Sequence, residues 1–114
     1  MLKGLGGLGD MAKAMKAAQE MQGKIAALQD QLSRTVVTGQ SGAGLVTVRA
    51  TAKGEVTGLE IDPSILIASE KQVVEDLIVA AIRDAQSHAA ARSQQEMSRM
   101  AEAMGLPPDL KLPF

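Results

Sequence analysis

With 114 residues, no cysteine and Phe114 as its one aromatic side chain, the chain is sized for a single domain whose interior must be built from aliphatic residues and methionine. The lack of thiols excludes disulfides, thiolate zinc sites and cysteine nucleophiles, and the longest uninterrupted apolar run, residues 77–82, is far short of the ~20 residues a membrane-spanning helix needs. Formal net charge is −1, with five basic and three acidic side chains in residues 1–34, two and three in 35–68, and five and seven in 69–114; so slight an imbalance does not by itself point to nucleic acid.

Residues 4–9, Gly-Leu-Gly-Gly-Leu-Gly, match G-x-G-x-x-G. That fingerprint holds pyrophosphate only where a strand delivers the glycines to a helix amino terminus, and no strand is expected in the three residues before them. Residues 1–10 are therefore expected to form a flexible glycine-rich tail. Asp10 is placed to cap a helix over residues 11–34, a stretch of strong helix formers interrupted only by Gly23. Met11, Ala18, Ile25 and Leu32 recur seven apart with Met15, Met21 and Leu28 between them, an apolar seam that asks for a partner. The polar side carries Lys13, Lys16, Glu20, Lys24, Gln31 and Arg34 on one stripe, which a solvated face with i,i+4 pairing explains on its own.

Thr35-Val36-Val37-Thr38 is a short β-type run, followed by a loop over residues 39–44 that is too glycine-rich for regular structure. Alternation then takes over: Val46, Val48, Ala50 and Ala52 fall on one face and Thr47, Arg49, Thr51 and Lys53 on the other, the period of a half-buried strand. Lys53-Gly54 marks a tight hairpin turn. A third strand over residues 56–61 puts Leu59 and Ile61 on one face and is stopped by Pro63. The three runs predict a small antiparallel sheet with one face to bury.

Ser69 is placed to cap a second long helix that runs to about Met104 and ends at Gly105. At 1.5 Å per residue such a helix is roughly 50 Å long, more than a chain of this size can cover. Val73, Val74, Leu77, Ile78, Ala81, Ile82 and Ala85 make its first half a core element, whereas from Gln86 onward the apolar positions are mostly Ala and Met. Residues 106–114, with Pro107, Pro108 and Pro113, are expected to be extended.

The order α-β-β-β-α defines an α+β fold with a small antiparallel three-stranded sheet and two long helices, residues 11–105 forming one domain. Helices this long need a partner surface, so a homodimer is expected. Met11, Met15, Ile25, Leu28 and Leu32 of the seam, with Leu77 and Ile78 of the second helix, are its expected interface.

Three segments carry a resemblance: Ser41-Gly42-Ala43-Gly44-Leu45-Val46, Leu59-Glu60-Ile61-Asp62-Pro63, and Glu75-Asp76-Leu77-Ile78-Val79-Ala80-Ala81 with Asp84-Ala85. Together with the closing Gly105-Leu106-Pro107-Pro108 and Lys111-Leu112-Pro113-Phe114, they resemble the YbaB/EbfC family of bacterial nucleoid-associated proteins over essentially the whole chain. The resemblance implies a tweezer-like homodimer with projecting helical arms, DNA binding with little sequence preference, a place in the cytoplasm at the nucleoid, and a chromosome-organising, regulatory role rather than catalysis.

A duplex binder needs cations that follow phosphates, and a dimer doubles what one chain provides. The candidates are Lys13, Lys16, Lys24 and Arg34 on the first helix, Arg49 and Lys53 on the polar strand face, and Arg92 and Arg99 on the arm. Glu96 lies four residues from one arm arginine and three from the other, so intrahelical pairing competes with phosphate there. Single-stranded nucleic acid is gripped by stacking on aromatic rings, which this chain lacks apart from Phe114. His88, the single histidine, has no ligand set around it, and Glu60 with Asp62 and Glu75 with Asp76 are not placed for joint acid–base work. No metal, cofactor, membrane or small-molecule substrate is expected. The rival reading is a protein-interaction module whose arms clamp another protein, with the methionines at 11, 15, 21, 97, 100 and 104 as an adaptable docking surface.

Overall fold

A computed structural model describes the backbone of residues 2–105 and the side chains of residues 7–105. In chain order it contains α1 (Leu2–Arg34), β1 (Val36–Ser41), a 3-10 turn at Gly42–Gly44, β2 (Val46–Thr51), β3 (Val56–Ile61), 3-10 turns at Pro63–Ile65 and Ala68–Glu70, and α2 (Lys71–Ala103). This is the expected α-β-β-β-α order. Contacts divide the chain into two compact units, Met1–Asp30 and Gln31–Phe114.

The first unit holds the helix α1 as far as Asp30. It begins at Leu2, so Asp10 lies inside it rather than at its cap, and the glycines expected in a tail are helical. The leucines at 2, 5 and 8 continue the spacing of Met11 and Met15, and that periodicity outweighs the poor helix propensity of glycine. Leu8, Met11 and Met15 are 62–64% exposed, Met21 and Ile25 half-buried, and Leu28 buried.

The second unit is built on the sheet, ordered β1-β2-β3 and antiparallel throughout. Ser41 opposes Val46, Gly39 opposes Val48 and Val37 opposes Ala50 across β1 and β2, while Val46 opposes Ile61 and Val48 opposes Leu59 across β2 and β3. The alternation read in β2 holds from Val46 to Ala50, with Val46, Val48 and Ala50 fully buried. At the end of the strand it fails, because Thr51, expected on the outer face, is buried too, and Ala52, nearly fully buried, and Lys53 lie in the turn beyond β2. They pack against Ala81 and Ala85 of α2, with Val37, Ile61, Ile65, Leu77, Ile78 and Ile82 around them. A small-residue stripe on α2, Ala81, Ala85 and Ala89, brings the helix close to the sheet.

That closeness corrects the reading of residues 39–44 as a loop. β1 continues through Gly39 to Ser41, and Gly39 is where α2 presses on the strand. A Cβ there would collide with the backbone N of Ala85 and the carbonyl of Ala81, and would lie 2.7 Å from the Cα of Ala85. Ser41 Oγ adds a hydrogen bond to the Leu77 carbonyl at 2.5 Å. The loop proper is only the turn at 42–44, where Gly42, Ala43 and Gly44 all take left-handed φ values of 60°, 55° and 92°.

α2 also engages part of the outer edge of β1. The Gln40 amide donates to Asp84 Oδ2 at 2.9 Å, and His88 Nδ1 lies 2.6 Å from the Thr38 carbonyl. A carbonyl only accepts, so the ring carries its proton on Nδ1. Asp84 and His88, one turn apart, thus satisfy two backbone groups that an edge strand would otherwise leave open. His88 is a structural residue.

β3 is left differently. α2 packs across β1 and β2 rather than β3, and among the described residues no strand pairs with its far side. Ile61 reaches the core, but Leu59, expected to be covered beside it, is 45% exposed. The turn at Pro63–Ile65 is capped by Asp62, whose side chain accepts from the Ser64 amide at 2.9 Å. Ser69, expected to cap α2, lies within the following 3-10 turn, and Glu70 precedes α2 without a side-chain cap. The stop at Gly105 is as expected: φ is +73°, and its amide bonds to the Glu102 carbonyl at 3.0 Å.

Candidate nucleic-acid interface

The cations expected to meet phosphate fall into two groups, each described within its own unit. On α1, Lys13, Lys16 and Lys24 are exposed and make no ion pair or hydrogen bond among the described residues. At 100° per residue they occupy a stripe about 80° wide, and along the axis they span about 16 Å, the rise of about five phosphates on one DNA strand. Leu8, Met11 and Met15 lie on the opposite side, so this helix separates a cationic stripe from an apolar one.

In the second unit the arginines expected to meet phosphate are engaged. Arg49 projects from the outer face of β2, opposite Gly58 of β3. Its guanidinium lies flat across that glycine, where a Cβ would sit 2.8 Å from Nε and 2.9 Å from Cζ, and its Nη1 reaches Glu60 Oε1 at 3.0 Å. On α2, Glu96 Oε1 takes Arg92 Nε at 3.2 Å and Arg99 Nη1 at 3.5 Å, so the intrahelical pairing expected from spacing is present. Arg34 is exposed in the last turn of α1, where its charge suits the helix dipole, and is engaged by neighbouring groups. Lys53, in the hairpin turn, is exposed and unpaired among the described residues.

Arg83 belongs with these candidates, although the sequence reading passed over it. It is exposed and without a partner among the described residues, and two residues past Ala81 it points away from the sheet. Helical geometry alone predicts that direction; reading α2 by its net acidic charge hid it.

Among the described residues no group of three His, Asp or Glu side chains is placed to hold a metal ion. Asp62 has its carboxyl held below the usual range by its hydrogen bonds from the Ser64 side chain and backbone, which is cap chemistry. Among the described residues no helix is long and apolar enough to cross a membrane.

Of the residues expected at a dimer interface, the structure places Met11 and Met15 in the open and Ile25 half-buried. Leu28 and Leu32 are buried, and Leu77 and Ile78 pack against the sheet core of the same chain. The large apolar side chains the second unit leaves exposed are others: Val36, Val56, Leu59, Leu66, Ile67, Val73 and Val79. An open crevice of about 360 Å³ lies among Leu66, Ile67, Ala68, Lys71, Val74 and Glu75.

A fold of this order carries, among its described residues, a stripe of exposed and unpaired lysines on α1. The sequence profile of the YbaB/EbfC DNA-binding family matches residues 7–104, and the chain belongs to that family; it is a nucleoid-associated DNA-binding protein. The fold is also similar to the crystal structure of uncharacterized protein HP0035 from Helicobacter pylori, with a TM-score of 0.61 and 24% sequence identity, covering 78% of this chain and 89% of that one.

Proposed function

We propose that the protein binds duplex DNA as a homodimer, chiefly through phosphates and with little sequence preference, organising the chromosome at the nucleoid in the cytoplasm and modulating transcription, without catalysis. The observation that carries this reading is the stripe of Lys13, Lys16 and Lys24, exposed and unpaired among the described residues of a chain that belongs to a DNA-binding family. Three lysines on one helix make a weak grip, and a second copy doubles it. Lys53 and Arg83 extend the set; Arg34, Arg49, Arg92 and Arg99 enter by exchanging a protein partner for phosphate. None of these side chains is placed to read base edges from a recognition helix, which supports low specificity.

Dimerisation is supported by the apolar surface each copy leaves uncovered. Val56 and Leu59 on the open strand, and Leu66 and Ile67 beside the crevice, are 42–60% exposed. Burying such side chains against a second copy is favourable by roughly 25 cal/mol per Å² of apolar area.

Gel shifts on two unrelated duplexes at two salt concentrations test the DNA reading. Similar affinity for both, falling with salt at a log–log slope near −0.9 for each neutralised phosphate, is the expected result; binding indifferent to salt points instead to the apolar surface and a protein partner. Light scattering at micromolar concentration tests the dimer, and a monomer there refutes it.

A further inference from the structure

We infer that Glu60 and Glu96 set the protein's affinity for DNA by occupying the arginines that would otherwise take phosphate. The inference rests on the DNA-binding reading and adds to it the residues that limit the grip.

Carboxylate and phosphate compete for the same donors. The guanidinium is planar, permanently charged and geometrically matched to either anion, so an arginine already paired must give up one to take the other. In the second unit three candidate arginines are held in this way and the pairs are built rather than incidental. Arg49 can lie across the sheet to Glu60 only because β3 presents no side chain at Gly58. Glu96 is reached by two arginines, one turn before and one turn after it, and its side chain is only 9% exposed while theirs are 46% and 65% exposed. The carboxylate is shielded and the cations are accessible. By contrast Lys13, Lys16, Lys24, Lys53 and Arg83 face no acid among the described residues. The chain therefore carries a set of open cations and a set of restrained ones.

Replacing either glutamate by glutamine keeps the side-chain shape and removes the charge. The test is fluorescence anisotropy with one labelled duplex at several salt concentrations, on the full chain and on E60Q, E96Q, R49Q, E60Q/R49Q and E55Q, with a thermal melt of each. Glu55 is exposed and its side chain has no partner among the described residues, so E55Q reports the bare effect of losing one negative charge. E60Q is expected to bind about three-fold tighter than wild type and E96Q about ten-fold, both beyond E55Q, in line with the modest strength of exposed ion pairs. The salt slope steepens by about 0.9 for each arginine that gains a phosphate. The gain in E60Q vanishes in the R49Q background, because it acts through that arginine.

Wild-type affinity in both glutamine variants, or a gain no larger than that of E55Q and persisting without Arg49, overturns the inference while leaving DNA binding intact. A wild-type chain that fails to bind the duplex even at low salt overturns the DNA reading and this inference with it. Loss of melting temperature without tighter binding assigns the pairs to stability alone, and equally overturns it.

Discussion

Replacing Gly39 with alanine puts a methyl group where α2 already is. The added Cβ meets the Ala85 amide nitrogen, the Ala81 carbonyl oxygen and, at 2.7 Å, the Ala85 Cα. All three are helix backbone, so no rotamer change relieves the clash; α2 must lift from the strand by about 1 Å. Lifting it loosens Ala81, Ala85 and the fully buried Val46 and Val48 together. Overpacking of this kind costs about 1–3 kcal/mol, and the upper end applies because the obstacle cannot rotate. Against it stands a gain of about 0.5–1 kcal/mol from removing a strand glycine's backbone freedom. The net loss is about 2 kcal/mol, equivalent to a fall in melting temperature of about 8–12 °C for a domain of this size. The comparison variant is Gly58→Ala, whose Cβ meets only the mobile end of Arg49 and should cost less than half as much. Urea and thermal melts followed by circular dichroism measure both. A Gly39→Ala protein within 0.5 kcal/mol of wild type, or one no worse than Gly58→Ala, refutes the claim that this glycine is required by the helix–strand approach.

Gly23→Ala should act in the opposite sense: a Cβ there meets nothing within 4 Å, and the substitution should raise helix content and stabilise α1 by about 0.5–1 kcal/mol, read from helix ellipticity and urea midpoint. Lys13→Glu with Lys16→Glu should weaken duplex binding about ten-fold or more at moderate salt and flatten the salt slope; unchanged affinity removes α1 from the footprint. Asp62 has its carboxyl lowered by Ser64, so its contribution is fully present above the ordinary carboxylate range and is lost as pH falls through its lower folded value. Asp62→Asn should therefore shrink the loss of stability on acidification, and urea midpoints taken between about pH 5 and pH 2.5 check this.

The sequence made β2 plain because apolar and polar residues alternate along it, and Val46, Val48, Ala50 and Ala52 all became core; Thr51 is buried as well because it lies where the strand enters the turn. The Lys53-Gly54 turn and the stop at Gly105 were equally legible, since a tight turn and a helix end each favour glycine for local reasons. Gly39 was not, because its requirement comes from Ala81 and Ala85, far along the chain, and glycine's local preference pointed to a loop. Asp10 and Ser69 have capping chemistry, but helix starts are set by apolar spacing and by the preceding turns as well as by a willing cap. Within the candidate interface, the Arg92–Glu96–Arg99 cluster was readable from i,i+3 and i,i+4 spacing. The Arg49–Glu60 pair depends on strand register, and the capping of β1 by Asp84 and His88 depends on where α2 crosses, so neither leaves a mark in the sequence alone.

The two flanks of the sheet are unequal in how far their backbone groups are engaged. A sheet with both flanks bare is a template for unlimited stacking. Here Asp84 and His88 engage two backbone groups on one flank from within the chain, whereas among the described residues no strand or side chain is shown pairing along the far side of β3. A strand meeting this sheet would find its free backbone groups along β3, so the flank covered by α2 is the one that resists chain-to-chain pairing.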